Sequence, residues 1–171
     1  MIAARSYWIG LIGCGTLLAI AYFYFQQKLG LAPCPLCMFQ RFALVSVAFF
    51  CIIGIIFNPR KFGSKLLAFG ATISSLIGLL IAGRQVWLQH LPADKVPECG
   101  PDLSYMLEMN PLFDVIQRVL AGSGECAEVQ WTLMSFSMPE WMMLVFGFML
   151  LFCIRLLLRK ERNYFSGALG R

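Results

Sequence analysis

Charge is scarce in this chain. Asp, Glu, Lys and Arg make up only 13% of its 171 residues, while 59% are hydrophobic. Soluble domains carry about 25% charged and about 45–50% apolar residues, so composition excludes a water-soluble globule and points to an integral membrane protein. Histidine occurs once, at His90. There is one Cys-x-x-Cys and no second, so a tetrahedral zinc site lacks its usual paired-ligand pattern. Acids are outnumbered nine to fourteen, for a net charge of +5. The placement of that charge along the chain argues against a nucleic-acid surface. The length allows one compact domain.

Long apolar sequence is what the chain has in abundance. A membrane crossing needs about 20 residues with few charges. Four stretches qualify: Ser6 to Gln27, Phe42 to Phe57, Leu66 to Leu88 and Trp141 to Leu158. The second is short unless it starts near Cys37, so the spans are expected at 6–27, 38–57, 66–88 and 141–158, with outer loops at 28–37 and 91–140. Arg155 interrupts the fourth run, and its stem must snorkel to the near surface. The expected fold is an all-α membrane protein, a four-transmembrane-helix bundle with a short amphipathic helix in the long outer loop.

Lysine and arginine orient the bundle. Arg5, Arg60, Lys61, Lys65, Arg155, Arg159, Lys160, Arg162 and Arg171 put nine of the fourteen bases on one side. The 91–140 connection holds eight of the nine acids against Lys95 and Arg118. By the positive-inside rule both termini face the cytoplasm and the Cys34/Cys37 loop faces outward. The first apolar run resembles a signal peptide in carrying Arg5. It is about 20 residues rather than 7–15 and ends in Tyr22-Phe23-Tyr24-Phe25 instead of small residues, so it reads as a retained helix.

Topology sorts the seven cysteines. Cys14, Cys51 and Cys153 fall inside spans, where cysteine serves as a small hydrophobe. Cys34, Cys37, Cys99 and Cys126 fall on the outer side, and four cysteines allow three pairings. An outward compartment tolerates disulfides. A Cys34–Cys37 bridge would constrain little chain, so its entropic stabilisation is small and reactivity explains it better. A thiolate near a helix N-terminus is favoured by the helix dipole, and Arg41, four residues after Cys37, adds a positive charge on the same face. Cys99 and Cys126 alone read as a loop brace.

In the long loop, Asn110 reads as an N-cap with Pro111 at the first helical position. Leu112, Phe113, Ile116, Val119 and Leu120 recur at helical spacing and Gly122 ends the run. Ten residues make a helix of about 15 Å, too short to cross but suited to the headgroup layer or to the side of the bundle. Gly122-Ser123-Gly124 precedes Cys126, and Pro92, Pro97, Gly100 and Pro101 surround Cys99. Flexible chain beside a disulfide permits partner exchange. Near the outer surface, Arg84 reads as an anchor, Gln85 and Gln89 share a helix face, and His90 follows. With Gln40 and Arg41 at the same depth, these groups could bind the polar head of a lipid-soluble quinone.

The segments Pro33-Cys34-Pro35-Leu36-Cys37, Gln40-Arg41, Gln85 through His90, Gly124-Glu125-Cys126-Ala127-Glu128, Gln130-Trp131 and Met138-Pro139-Glu140-Trp141 resemble, over nearly the whole length, the disulfide bond formation protein B (DsbB) family of bacterial inner-membrane thiol–quinone oxidoreductases. The resemblance implies a multi-pass inner-membrane enzyme with its cysteine loops in the periplasm. Cys99 would be attacked by a soluble, thioredoxin-like DsbA-type oxidase; Cys126 would attack Cys34; and Cys37 would face ubiquinone or menaquinone, with Arg41 stabilising its thiolate. It further implies that His90 and Trp131 belong to the quinone pocket, to which Gln85 is assigned by its place near the outer surface; neither a metal nor nucleic acid is expected to take part. Three other readings stand beside it: a disulfide-locked four-span scaffold, a zinc site built from the outer cysteines or His90, and an enzyme like vitamin K epoxide reductase.

Overall fold

The computed structural model describes residues 2–57, 61–92, 105, 108–122 and 124–158. Helix α1, Ile2–Ala19, runs straight into a π-helical segment, Ile20–Lys28. Helix α2 spans Pro35–Phe57 and α3 spans Lys61–Gln89. Two short helices follow, α4 at Leu112–Ala121 and α5 at Gly124–Ala127. A hairpin of β1, Thr132–Leu133, and β2, Phe136–Ser137, leads into α6, Met138–Leu158.

Four of these helical stretches are long and apolar enough to cross a membrane: Arg5–Lys28, Pro35–Phe57, Phe62–Gln89 and Met138–Leu158. The chain is an all-α membrane protein. Helix α3 packs on both α2 and α6, and α1 packs on α2. Large apolar side chains such as Phe42, Ile56, Phe62, Leu80 and Phe148 face outward, as they must where the solvent is lipid. Small residues line the inside. A Cβ on Gly78 would run into the Phe146 ring, and Ala43, Ala71 and Ala82 are buried beside it in one core cluster. Hydroxyls between the spans are bonded: Ser46 to Ser74 at 2.8 Å, Ser75 to the Ala71 carbonyl at 2.9 Å, and Thr72 to the Ala68 carbonyl at 2.7 Å. Burying them without partners would cost about 1–3 kcal/mol each.

Three helix starts differ from the apolar runs. Helix α2 begins at Pro35, α3 at Lys61 and α6 at Met138. Proline suits a first helical position, because its missing N–H would go unpaired there and its φ is already helical. For α6, the Glu140 carboxylate accepts from the Ser137 backbone N–H. This is one half of a capping box, which starts the helix ahead of the apolar run. Helix α4 has Pro111 rather than Asn110 at its N-cap. Pro111 is extended (φ −62°, ψ 145°) and its carbonyl accepts from the Asp114 and Val115 N–H groups. Gly122 ends α4 at φ +88°, and a Cβ there would collide with Leu88. Glycine is therefore required twice over, for its backbone and for the close approach.

Candidate functional site

The site forms where the N-terminus of α2 meets the end of α3. Cys34 directly precedes Pro35, and its sulfur accepts from the Cys37 backbone N–H at 3.3 Å, capping the open first turn of α2. Cys37 lies in that first turn, rather than in the preceding loop. Both Cys34 and Cys37 are free thiols. Helix α5 carries Cys126 into the same cluster, where it is fully buried with Cys34, Leu36, Leu88 and Val119. The Cys34 thiol is pushed well above the ordinary cysteine range, first by its hydrogen bond with Cys126, then by that with Cys37, then by burial. The N–H donors aimed at its sulfur oppose this, but three sulfurs crowded in one buried place cannot all ionise. Cys34 thus holds a proton between two sulfur neighbours.

Helix α3 supplies Gln85, only 4% exposed. Its Nε2 donates to Cys34 Sγ and to Cys37 Sγ, each at 3.4 Å. Its Oε1 accepts from Gln40 Nε2 at 2.8 Å and lies 3.8 Å from the Cys37 sulfur. Gln40 is equally buried, so the two amides form a closed polar contact between α2 and α3.

An open cleft lies beside the sulfurs, walled by Cys37, Arg41, Gln85 and Gln89 on one side and by Phe25 and Trp131 on another. The Phe25 and Trp131 rings meet edge to face at 4.9 Å. The Oε1 of Gln89 is buried without a partner, and Glu125 and Glu128 line the same cleft. Arg41 Nη1 donates to Gln26 Oε1 and Nη2 to the Ala21 carbonyl, both at 3.0 Å. Its charge is thus held at the cleft by the π-helical segment of α1, with no hydrogen bond to Cys37 among those formed. π-Helical turns open backbone carbonyls to outside donors and recur at functional sites.

Of the residues singled out from sequence, Cys34, Cys37, Cys126, Arg41, Gln85 and Trp131 come together here. His90 is exposed, its Nδ1 lies 2.8 Å from the Val86 carbonyl, and it is not among the cleft residues. Cys99 lies outside the described residues. Among those described, no group of three or more His, Cys, Asp or Glu is placed to hold a metal ion. Phe25, Gln26, Glu125 and Glu128 were not readable as site residues: Phe25 and Gln26 end an apolar run, and the glutamates sit in an acidic loop. Arg84, read as an anchor, instead donates to the Leu120 and Ala121 carbonyls at 3.1 Å each, closing the end of α4, and stacks on Trp87 at 4.2 Å.

The family model described as "Disulfide bond formation protein DsbB" matches residues 4–156. Proteins named disulfide bond formation protein B are similar over most of their length. That of Chromohalobacter salexigens is 47% identical over 84% of this chain and 83% of its own. That of Marinobacter nauticus is 42% identical over 86% and 87%, and that of Stutzerimonas stutzeri 41% over 90% and 93%.

Proposed function

The chain belongs to the DsbB family of disulfide bond formation proteins, and from that premise we propose that it oxidises the dithiol of a soluble periplasmic DsbA-like oxidase and passes the electrons to a membrane quinone. The contact of Cys34 with both Cys126 and Cys37 is the observation that carries this reading. A sulfur that exchanges with one partner and then the other must stand between them, because thiol–disulfide exchange needs the attacking and leaving sulfurs aligned.

The steps balance in electrons and protons. The partner's thiolate attacks Cys99 of a Cys99–Cys126 disulfide; its second thiol releases the oxidised partner, leaving Cys99 and Cys126 reduced. Cys126 then attacks Cys34 of the Cys34–Cys37 disulfide, and Cys99 closes back on Cys126. Two electrons and two protons now reside on Cys34 and Cys37. Gln85 donates to both sulfurs, which stabilises thiolate and so the reduced pair. Arg41 adds positive charge at the cleft. Phe25 and Trp131 give the cleft an apolar wall for a quinone ring, and Gln89 Oε1, an unused acceptor, can take a hydrogen bond from the hydroquinone hydroxyl once the ring is reduced. The quinone, ubiquinone or menaquinone, supplies the acceptor for two electrons and two protons.

Mixing the purified protein, a reduced DsbA-like partner and a short-chain quinone tests this. Quinone absorbance should fall in step with partner oxidation. Cys37→Ser and Cys126→Ser should each reduce the rate to background. Absence of quinone reduction by the wild-type chain would end the reading.

A further inference from the structure

We propose that Gln40 is a positioning residue for the Cys34–Cys37 pair, holding the Gln85 amide so that its N–H face points at the two sulfurs. The inference rests on the reading that Cys37 works as a thiolate, and it deepens that reading by naming what fixes the donor.

A side-chain amide has one donor end and one acceptor end, and the two can exchange places by rotation. In a buried site the surrounding partners decide which end faces which neighbour. Here Cys37 Sγ lies within reach of both ends of Gln85, 3.4 Å from Nε2 and 3.8 Å from Oε1. Left to itself, the amide could serve either protonation state: Oε1 accepts from a thiol, and Nε2 donates to a thiolate. Gln40 breaks that symmetry. Its Nε2 occupies Gln85 Oε1 through a 2.8 Å bond, much the shorter of the two contacts to that oxygen. With Oε1 engaged, the end left for the sulfurs is the donor, which reaches Cys34 and Cys37 together. Turning the Gln85 amide over alone would set two N–H groups against each other and leave one carbonyl oxygen facing both sulfurs. Both glutamines are 4% exposed, so little solvent is at hand to relieve the mismatch.

Without Gln40, Gln85 Oε1 lacks its partner whenever Cys37 is a thiolate and regains one when the Cys37 thiol donates to it. The thiol form is then favoured. The charged and titratable groups around the Cys37 sulfur are Cys34, Cys126 of α5, Arg41 of α2, and Glu125 and Glu128 across the cleft. None of these is altered by changing Gln40.

The test follows the pH dependence of Cys37 alkylation in the reduced full-length protein in detergent, resolved by peptide mass spectrometry. Gln40→Met keeps the length of the side chain and removes its donor. It should move the Cys37 midpoint upward by about one pH unit, a tenfold loss in the thiolate-to-thiol ratio. Gln85→Met should move it upward at least as far, and adding Gln40→Met to Gln85→Met should change nothing more, because the first residue acts through the second. Should Gln40→Met fail to fold, Gln40→Asn, too short to reach Gln85, should show the same shift. An unmoved midpoint in Gln40→Met or Gln40→Asn, or additive shifts in the double variant, would overturn the proposal. The readout needs neither quinone nor partner, so a failure here is separate from a failure of quinone reduction.

Discussion

Cys34 touches both of the sulfurs with which the proposed relay has it exchange. That proximity carries an electrostatic cost, and the cost sets a pH dependence. Below its ordinary value of 9.0 the thiol is protonated in the folded and the unfolded chain alike. Above that value the unfolded chain releases the proton while the folded chain keeps it, so the unfolded state binds fewer protons and stability falls as pH rises. The reduced protein should therefore lose thermal stability progressively above pH 9, and Cys34→Ser should lose it less steeply. Parallel melting curves of the two proteins in detergent between pH 7 and pH 10 would decide this. Equal slopes would show that the sulfur contacts do not hold the proton.

Helix α4 is docked by the buried Val115 and Val119 and by one arginine. Arg84 closes the last carbonyls of α4 and stacks on Trp87, while Leu88, one turn on, fills the space beside Gly122. Cys126 follows directly in α5, so α4 anchors the approach of that sulfur to Cys34. Arg84→Ala removes two hydrogen bonds and a cation–π contact, a loss of about 1–2 kcal/mol in the docking of α4. Amide exchange across 112–121 should quicken about five- to thirtyfold, with α3 unchanged; unaltered exchange in α4 would show that apolar packing alone holds it. Other element boundaries were partly legible. Ser137-x-x-Glu140 is a cap signal written in the sequence, masked because Met138 and Pro139 resemble the end of a loop. The π-helical segment has no sequence signal; within it the Ala21 carbonyl accepts from Arg41 of another helix. The hairpin at 132–137 likewise lacks an Asn-Gly turn: Met134 and Ser135 take positive φ, 52° and 67°, the geometry that Asn-Gly adopts more easily.

On the scale of the whole molecule, the four spans are legible because lipid demands long apolar runs whatever the packing, and the amphipathic helix because its period survives in ten residues. The assembly of the site is not legible. Gln40 and Gln85 are 45 residues apart and belong to different helices, and no spacing rule links Cys126 to Cys34. Charge bias does make an orientation testable. Ser135, at the hairpin tip on the cysteine end, and Phe62, near the start of α3 at the opposite end, are both exposed. A membrane-impermeant maleimide should label Ser135→Cys in cells with a permeable outer membrane, and Phe62→Cys only after lysis; the reverse pattern would invert the topology. The burial of Cys126 and Cys34, 0% and 5% exposed, has a further consequence. Little of either sulfur is open to a bulky thiol arriving from solution, so the two are insulated like the core of a cable. On the proposed reading, a partner's cysteine would therefore have to meet a sulfur outside this enclosure, and stray thiols in the surroundings would short-circuit the relay less readily.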